Sequence, residues 1–477
     1  MADRVFLALE SELTPQHVAF LATFALPAGT DSAHYMRRLF RLLNTAPVVA
    51  PFTFLRGQAR LGIFGGTWNV LPPEDIDLSH HLRRSALPAP GSDRELLDLV
   101  SQLHSRQLDS AHPLWECHVI EGLADERFAL YFKVHHALID GMGIEQRFRQ
   151  MLSEDPEDEA VRPPWSIAEH TNNVAAVDST TLAGQLLGRV RGFAVTAVGA
   201  GQVARNVVRA VRTLDNPARA VPFVIPRSPL NGAVGQQRRV VTRSYGFDRL
   251  RTVAKAADVT INEVLLSACG GALRRCLAAA GALPARSLTA GTPVSTRESG
   301  DATTANAFGM TVMSLGTDVA DPLERLRTVA RSSAIAKQEL KELPKGATGL
   351  YGALFTWPFV AQNVLGAGGG TRPPYNVVVS NIPGSSKQQY FTGSRLEAIY
   401  PVGSVSHGVG LFIAARSSSE RFDVCLLGDR ASLVPLEELG DHLSDEILCL
   451  ERAVGVSAPP FDLAELPVGG QKREECS

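Results

Sequence analysis

The feature that most constrains this chain is a strand-like run that leads directly into the motif HHALIDG at residues 135–141. Apolar side chains occupy alternate positions from Phe128 to Val134, and His136 continues that face, as in a β-strand. Burial disfavours a charged imidazole, so a neutral His136 ring at the end of such a strand is a candidate general base. The motif places an imidazole, a carboxylate and a small backbone pivot in one short turn, which suits proton transfer near neutral pH.

Asp140 lies four residues after His136 and is expected to hold the geometry of the turn, against the histidine loop or an arginine, and not to carry protons. The alternative is that His135 and His136 are hydrogen-bonded strand-end histidines and that Asp140 caps the following helix. A second pair, His80 and His81, has no acidic residue four positions on, so it predicts a basic exposed turn.

Length and composition indicate a globular protein of two domains. The chain has 477 residues, of which 45% are hydrophobic and 20% are charged, with a formal charge of −2. That charge does not support nucleic-acid binding. The six cysteines are scattered, with no CxxC pair and no Cys/His cluster at metal-ligand spacing, which predicts a reduced, cytoplasmic protein without a structural metal. No secretory signal is visible at the start of the chain.

Breaks in the pattern predict domains at residues 1–177 and 238–477, joined by a crossover helix and linker at 178–237. Helix patterns at 247–257, 262–280 and 321–340 alternate with strand-like runs at 311–315, 376–380 and 424–427, which indicates an α/β fold. The uncharged stretch at 192–204 is too short to span a bilayer and is flanked by arginines. It is either an interdomain helix with a solvated arginine face or a segment that lies on a membrane or lipid-droplet surface.

Several motifs occur in an order that covers nearly the whole chain. They are VFLALESELTPQHVA at 5–19, IDLSHHLRR at 76–84, LDSAHPLWE at 108–116, HHALIDG at 135–141, TINEVLLSACGGALRR at 260–275, TPVSTR at 292–297 and VVVSNIPG at 377–384. In this order they resemble the bacterial wax ester synthase/diacylglycerol acyltransferase family, within the superfamily of chloramphenicol acetyltransferase and peptide-synthetase condensation domains.

The resemblance implies two chloramphenicol-acetyltransferase-like mixed-sheet domains with the active site at their interface. It implies an acyl-CoA-dependent O-acyltransferase that makes wax ester, triacylglycerol or both, with acyl-CoA as a substrate and no further cofactor. In that family the second histidine of HHxxxDG is the general base, which carries over to His136, with His135 and Asp140 in support. The residues implied at substrate-binding positions are Gly141, Asn262, Glu263, Ser380 and Asn381. Direct transfer needs no acyl-enzyme.

Two departures from the family pattern bear on substrate range. Asn262-Glu263 stands where the family has Asn-Asp, and LFIA at 411–414 stands where it usually has LNIT. Thr260 to Glu263 also reads as a capping box, an alternative at least as good as a catalytic role. Asn262 either assists the substrate or a developing oxyanion, or is a structural amide.

Other functions remain open. One alternative is an acyltransferase with another thioester donor or acceptor, and another is a catalytically weak lipid-binding relative. A condensation domain would use an amine acceptor. His407 is a further pocket-lining candidate.

Overall fold

A computed structural model describes residues 2–57, 68–168, 216–295, 308–342, 358–366, 369–370, 372–432 and 434–456. The helices are α1 Ala2–Leu9, α2 Ser32–Asn44, α3 Leu78–His81, α4 Asp93–Ser105, α5 Gly141–Met151, α6 Phe247–Ala256, α7 Ile261–Ala279, α8 Pro322–Lys341 and α9 Leu436–Ala453, with a further helical segment at 358–364. The strands are β1 His17–Ala25, β2 Phe54–Arg56, β3 Trp68–Val70, β4 Leu82–Ala86, β5 Trp115–Leu123, β6 Arg127–His135, β7 Arg238–Gly246, β8 Thr289–Ser295, β9 Phe308–Ser314, β10 Val377–Ile382, β11 Tyr390–Phe391, β12 Ser394–Val402, β13 Leu411–Ser417 and β14 Arg421–Asp429.

The first large sheet has the order β11-β12-β1-β6-β5-β4. Its neighbouring strands are antiparallel except β4 and β5, so the sheet is mixed. β6 is central and buried on both faces after its first residue, because its alternate side chains enter two different hydrophobic clusters. This strand delivers the HHALIDG motif to the end of the sheet.

The second large sheet has the order β7-β14-β13-β10-β8-β9 and is also mixed, since β10 is parallel to both β13 and β8. Helices α6 to α9 cover it and form one hydrophobic core with it. The predicted α/β class, with two mixed sheets, is therefore confirmed, as are the three helices and three strands predicted from the second half of the sequence.

A crossover joins the two halves. β11 and β12 lie within the second half of the chain, between β10 and β13, but belong to the first sheet, where β12 pairs antiparallel with β1. The carboxylate of Asp423 on β14 accepts the Ile399 N–H of β12 at 3.0 Å, which ties the crossing strand to the second sheet. A hydrophobic cluster also runs from β1 and β6 through α4 to Val240 of β7 and Leu427 of β14. The boundaries at 177 and 238 stay predictions.

Candidate active site

The first histidine of the motif, His135, is the last residue of β6 and only 2% exposed. Its Nδ1 atom accepts a hydrogen bond from the Ala137 N–H at 3.0 Å, so the neutral ring carries its proton on Nε2. That Nε2 atom lies 3.2 Å from Glu10 Oε2. Because the protein engages both ring nitrogens, His135 is suited to hold the turn and not to accept a proton from a substrate.

The second histidine, His136, lies in the turn that follows β6, so the expectation that it belongs to the strand is wrong by one residue. Its backbone N–H donates to the Gln16 carbonyl at 2.9 Å. The imidazole stacks on Phe6 of α1, with ring centroids 3.8 Å apart and planes 12° from parallel, and the side chain is partly exposed. Stacking covers a face of the imidazole and fixes its plane, while the nitrogens lie in the ring edge.

The segment between α1 and β1 supports both histidines. The Glu10 carboxylate accepts the Gln16 N–H and the Gln107 side-chain amide, the latter at 2.9 Å, in addition to its contact with His135. The Gln16 side chain donates to Ser406 Oγ at 3.1 Å, in the loop between β12 and β13. The histidine turn is therefore held where the two halves meet.

Sequence reasoning did not assign roles to Phe6, Glu10 and Gln16. All three lie in the 5–19 motif that carried the family resemblance, and that motif was the signal available. Their contacts with residues about 125 positions away follow from the pairing of β1 with β6, which residue spacing does not reveal.

Asp140 is the N-cap of α5, and its carboxylate accepts the Gly143 N–H at 2.7 Å. The helix-cap alternative is thus what the structure shows for this side chain. Gly141 begins α5, and a Cβ atom there would meet no atom within 4 Å. A larger residue would meet no steric obstacle at Cβ.

Helix α5 is clamped to the second sheet by an ion pair that the sequence did not predict. Glu145 and Arg416, which are 1% and 0% exposed, form two parallel hydrogen bonds of 2.9 and 3.0 Å. Arg149, one turn further along α5, donates to Glu145 and to the Pro383 carbonyl. A Cβ atom at Gly384 would lie 1.9 Å from the Ser417 carbonyl oxygen, so this close approach requires glycine.

The clamp brings the end of the VVVSNIPG segment to the helix that follows the histidine turn. Ser380 lies on β10 beside Ala414 of β13, and Asn381 is the next residue along that strand. The LFIA segment is therefore the immediate neighbour of Ser380 in the sheet, although the two motifs are separate in sequence. Phe412 of LFIA packs against Gly403, where a Cβ atom would lie 2.4 Å from the phenyl ring. Substrate contacts of Ser380 and Asn381 stay predictions.

Asn262 and Glu263 lie in the first turn of α7, where the capping box is present. Glu263 Oε2 accepts the Thr260 N–H at 2.8 Å, and Glu263 Oε1 lies 3.2 Å from Lys337 Nζ of α8. Burial raises the pKa of Glu263, but these donors outweigh burial and leave the pKa below its usual value. The structure therefore gives Glu263 a capping role, and substrate binding by either residue stays a prediction.

A buried ion pair lies on the face of β6 that His135 shares. Lys133 is 1% exposed and donates from Nζ to the Leu103 and Arg106 carbonyls at the end of α4, 3.0 Å each. The same nitrogen lies 3.6 Å from Glu116. Burial lowers the pKa of Lys133 to about 8 although Glu116 opposes this. Burial raises the pKa of Glu116, but the hydrogen bond with His118 and the charges of Lys133 and Arg83 hold it at about 2.

Two neutral histidines continue this polar layer. His104 lies between the Tyr131 hydroxyl at 2.7 Å and the Gly403 carbonyl at 2.8 Å, and burial lowers its pKa to about 3. His17, opposite His135 on β1, lies 3.0 Å from the His104 carbonyl, and burial lowers its pKa well below the usual value. Tightly held neutral rings thus surround the turn on this side.

The expectation of an exposed turn at His80 and His81 is wrong for His81, which is 0% exposed. Its ring stacks on Trp115 at 4.2 Å, and its Nδ1 lies 2.8 Å from the Trp115 carbonyl. His80, His112 and Asp109 bring ligand atoms within 4.8 Å of one another. The two imidazoles are nearly parallel at 3.7 Å, so their in-plane lone pairs run side by side and do not converge on one ion.

Three other predictions concern the periphery of the site. His407 Nδ1 accepts the Val234 N–H at 3.1 Å, and burial lowers the pKa of His407. The 192–204 segment and the end of the 292–297 motif lie outside the described residues. Among the described residues, no helix combines the length and apolar character that crossing a bilayer requires.

Most of the chain matches one protein family. Residues 1–265 match the wax ester synthase/diacylglycerol acyltransferase catalytic domain, and residues 304–451 match the C-terminal domain of the same family. A protein of Mycobacterium tuberculosis H37Rv named putative diacylglycerol O-acyltransferase is 37% identical over 456 residues, which cover 95% of this chain and 99% of that protein.

Two solved structures extend the comparison. The wax ester synthase/diacylglycerol acyltransferase from Marinobacter aquaeolei VT8 matches with a TM-score of 0.74 at 30% identity, over 95% of this chain and 98% of that chain. The first condensation domain of the calcium-dependent antibiotic synthetase matches with a TM-score of 0.56 at 14% identity, over 94% of each chain, and so shares the fold.

Proposed function

Since this chain belongs to the wax ester synthase/diacylglycerol acyltransferase family, it is an O-acyltransferase of neutral lipid esters, and we propose that His136 is its general base. The acyl donor in this proposal is a long-chain acyl-CoA. The acceptor is the hydroxyl group of a fatty alcohol or a diacylglycerol.

The observation that carries the proposal is the different setting of the two adjacent histidines. His135 is sealed, with Ala137 and Glu10 on its two nitrogens. His136 is partly exposed in the turn, with its ring plane set by Phe6 and its backbone held by Gln16. A base must be positioned and also reachable, and of the two rings His136 meets both conditions.

The reaction is a direct transfer. His136 takes the proton of the acceptor hydroxyl as its oxygen attacks the thioester carbonyl carbon, and the C–S bond breaks as the tetrahedral intermediate collapses. The imidazolium then gives the proton to the departing thiolate, so the imidazole returns to its starting state. Holding both substrates in one cleft supplies much of the remaining assistance.

The test is to measure thiol release from palmitoyl-CoA in the presence of hexadecanol, diacylglycerol or neither, with the ester product quantified in parallel. We expect thiol release that depends on the acceptor and equals the ester formed. Activity only with a carrier-protein thioester would identify a different acyl donor. Activity only with an amine would identify a different acceptor. Tight palmitoyl-CoA binding without ester from any acceptor would instead identify a lipid-binding relative.

We also propose peripheral contact with a membrane or lipid droplet through the arginine-flanked segment 192–204. Its support is the sequence pattern of small uncharged residues between arginines, together with substrates that partition into lipid. Replacing Arg189, Arg191 and Arg205 with Gln should reduce co-flotation with triacylglycerol emulsions. If this variant floats as well as the wild-type protein, the arginines that flank 192–204 do not provide the lipid contact.

A further inference from the structure

A basic cleft of about 370 Å³ lies where α4 meets β7. Its lining includes Arg106, Arg238, Arg239 and Arg430, with Asp98 as the acidic residue among them. We call it the arginine cleft. Its lining residues are not among those that contact the two histidines, and the catalytic steps above do not use it.

The positive charge of the arginine cleft is only partly balanced. Arg239 forms ion pairs with Asp98 and with Glu437. In contrast, the described residues place no carboxylate in an ion pair with Arg106, Arg238 or Arg430. Within the described part of the chain, three guanidinium groups around this cleft therefore form no ion pair.

Arg238 is the buried arginine in the lining of this cleft. It is 3% exposed, and its guanidinium donates to the carbonyls of Gly235, at 2.6 Å, and Leu13. Burial lowers the pKa of Arg238 to about 10, although the charge of Asp429 acts in the opposite direction. A cation buried against neutral acceptors is stabilised by an anion placed nearby.

The arginine cleft borders the segment that holds the histidine turn. Leu13, which accepts from Arg238, lies between Glu10 and Gln16. Arg106, which also lines the cleft, precedes Gln107, whose side chain donates to Glu10. An extended ligand with its anionic end in the cleft would therefore begin beside the supports of His135 and His136.

We propose that the arginine cleft binds the phosphate groups of the CoA nucleotide of the acyl donor, an inference that rests on the proposed function. A CoA thioester carries its phosphates at one end and its reactive carbon at the other, joined by a long flexible arm. Guanidinium groups bind phosphate oxygens through paired, charge-assisted hydrogen bonds. Arg106 and Arg430 are the exposed members that would contact them, while Arg238 supplies buried positive charge.

The kinetic test uses Arg106→Gln, Arg430→Gln and the double variant, since both side chains are exposed and their loss should leave the fold intact. Each replacement should raise KM for palmitoyl-CoA by about tenfold, the effect of losing one charged hydrogen bond, with kcat little changed. Palmitoyl-pantetheine, which lacks the nucleotide, should show the same KM with every variant. Arg251→Gln on α6, a 64% exposed arginine paired with Asp248, is the matched control and should behave as wild type.

A binding measurement separates this inference from the proposed function. Calorimetry should show that CoA binds more tightly than pantetheine to wild type, that the double variant loses this difference, and that added salt weakens it. If the double variant loses this difference but the wild-type protein makes no ester, the cleft is a CoA site and the proposed function is wrong. Equal CoA binding by wild type and double variant would overturn the assignment of the cleft to CoA. Binding to vesicles of phosphatidylglycerol is measured in parallel. A double variant that loses vesicle binding but keeps CoA binding would also overturn the assignment, because the arginines would then bind lipid headgroups.

Discussion

At the scale of single residues, adjacent and chemically identical side chains differ because their partners differ. His135 ends the strand, so its ring enters the buried polar layer and meets Glu10, whereas His136 begins the turn and meets Phe6. Alternation along the strand predicted that the two rings face opposite ways, but His136 lies beyond the end of that strand. The partners come from α1 and from the segment between α1 and β1, which local sequence around the motif cannot specify.

The Asp140 carboxylate offers a residue-scale prediction. Asp140→Ala removes the acceptor of the Gly143 N–H, so we expect the free energy of unfolding to fall by about 1 kcal/mol, the usual effect of losing an N-cap. Asp140→Ser, which retains a capping oxygen, should recover most of this loss in urea unfolding. An Asp140→Ala protein with unchanged stability but no activity would show that the carboxylate takes part in the chemistry.

At the scale of elements, the sequence predicted most of what is local. The strand before the motif, the capping box at Thr260 and the helix beginning near Asp321 all have their determinants within a few residues. Contacts between distant segments were not predicted, because periodicity carries no information about which elements meet. The Glu145–Arg416 pair is one example, and the crossing of β12 into the first sheet is another.

The clamp between α5 and β13 gives the prediction at this scale. Replacing Glu145 with Met leaves the buried charge of Arg416 without its carboxylate, so this variant should lose about 3–5 kcal/mol of unfolding free energy. Replacing Arg416 with Met leaves Glu145 paired with Arg149 alone, so its loss should be smaller. The double variant should lose less than the sum of the two, which urea unfolding can measure as a double-mutant cycle.

The control for the clamp is Arg162→Gln, which breaks an ion pair with Asp158 at a 47% exposed side chain. This exposed pair should contribute under about 1 kcal/mol. Additive losses for Glu145 and Arg416 would contradict a direct coupling between α5 and the second sheet.

At the scale of the whole molecule, the two mixed sheets meet in a layer that contains both polar and apolar side chains. Buried neutral histidines belong to this layer. Burial lowers the pKa values of His17, His104 and His118 below their ordinary value, and it also lowers the pKa of His81, which packs on Trp115. The order of the motifs along the sequence predicted the two-sheet architecture, through the resemblance to a known family. It could not predict that burial would keep these rings uncharged, since that depends on how tightly the halves pack.

This layer makes stability depend on pH in a stated direction. Unfolded histidines take up protons near pH 6.5, while the folded rings resist protonation, so the unfolded state binds more protons below that pH. The melting temperature should therefore fall as the pH decreases from 7.5 to 5, above the range in which ordinary carboxylates titrate. A His104→Gln variant should show a shallower decrease, and a flat profile for the wild-type protein would contradict the assignment of neutral buried rings.

The most direct test of the account is the rate of ester formation by His136→Ala under saturating palmitoyl-CoA and hexadecanol. The account predicts a loss of about 10²-fold or more, the scale of a general base, with the melting temperature unchanged. A correctly folded His136→Ala protein that retains the full rate of acyl transfer would contradict it.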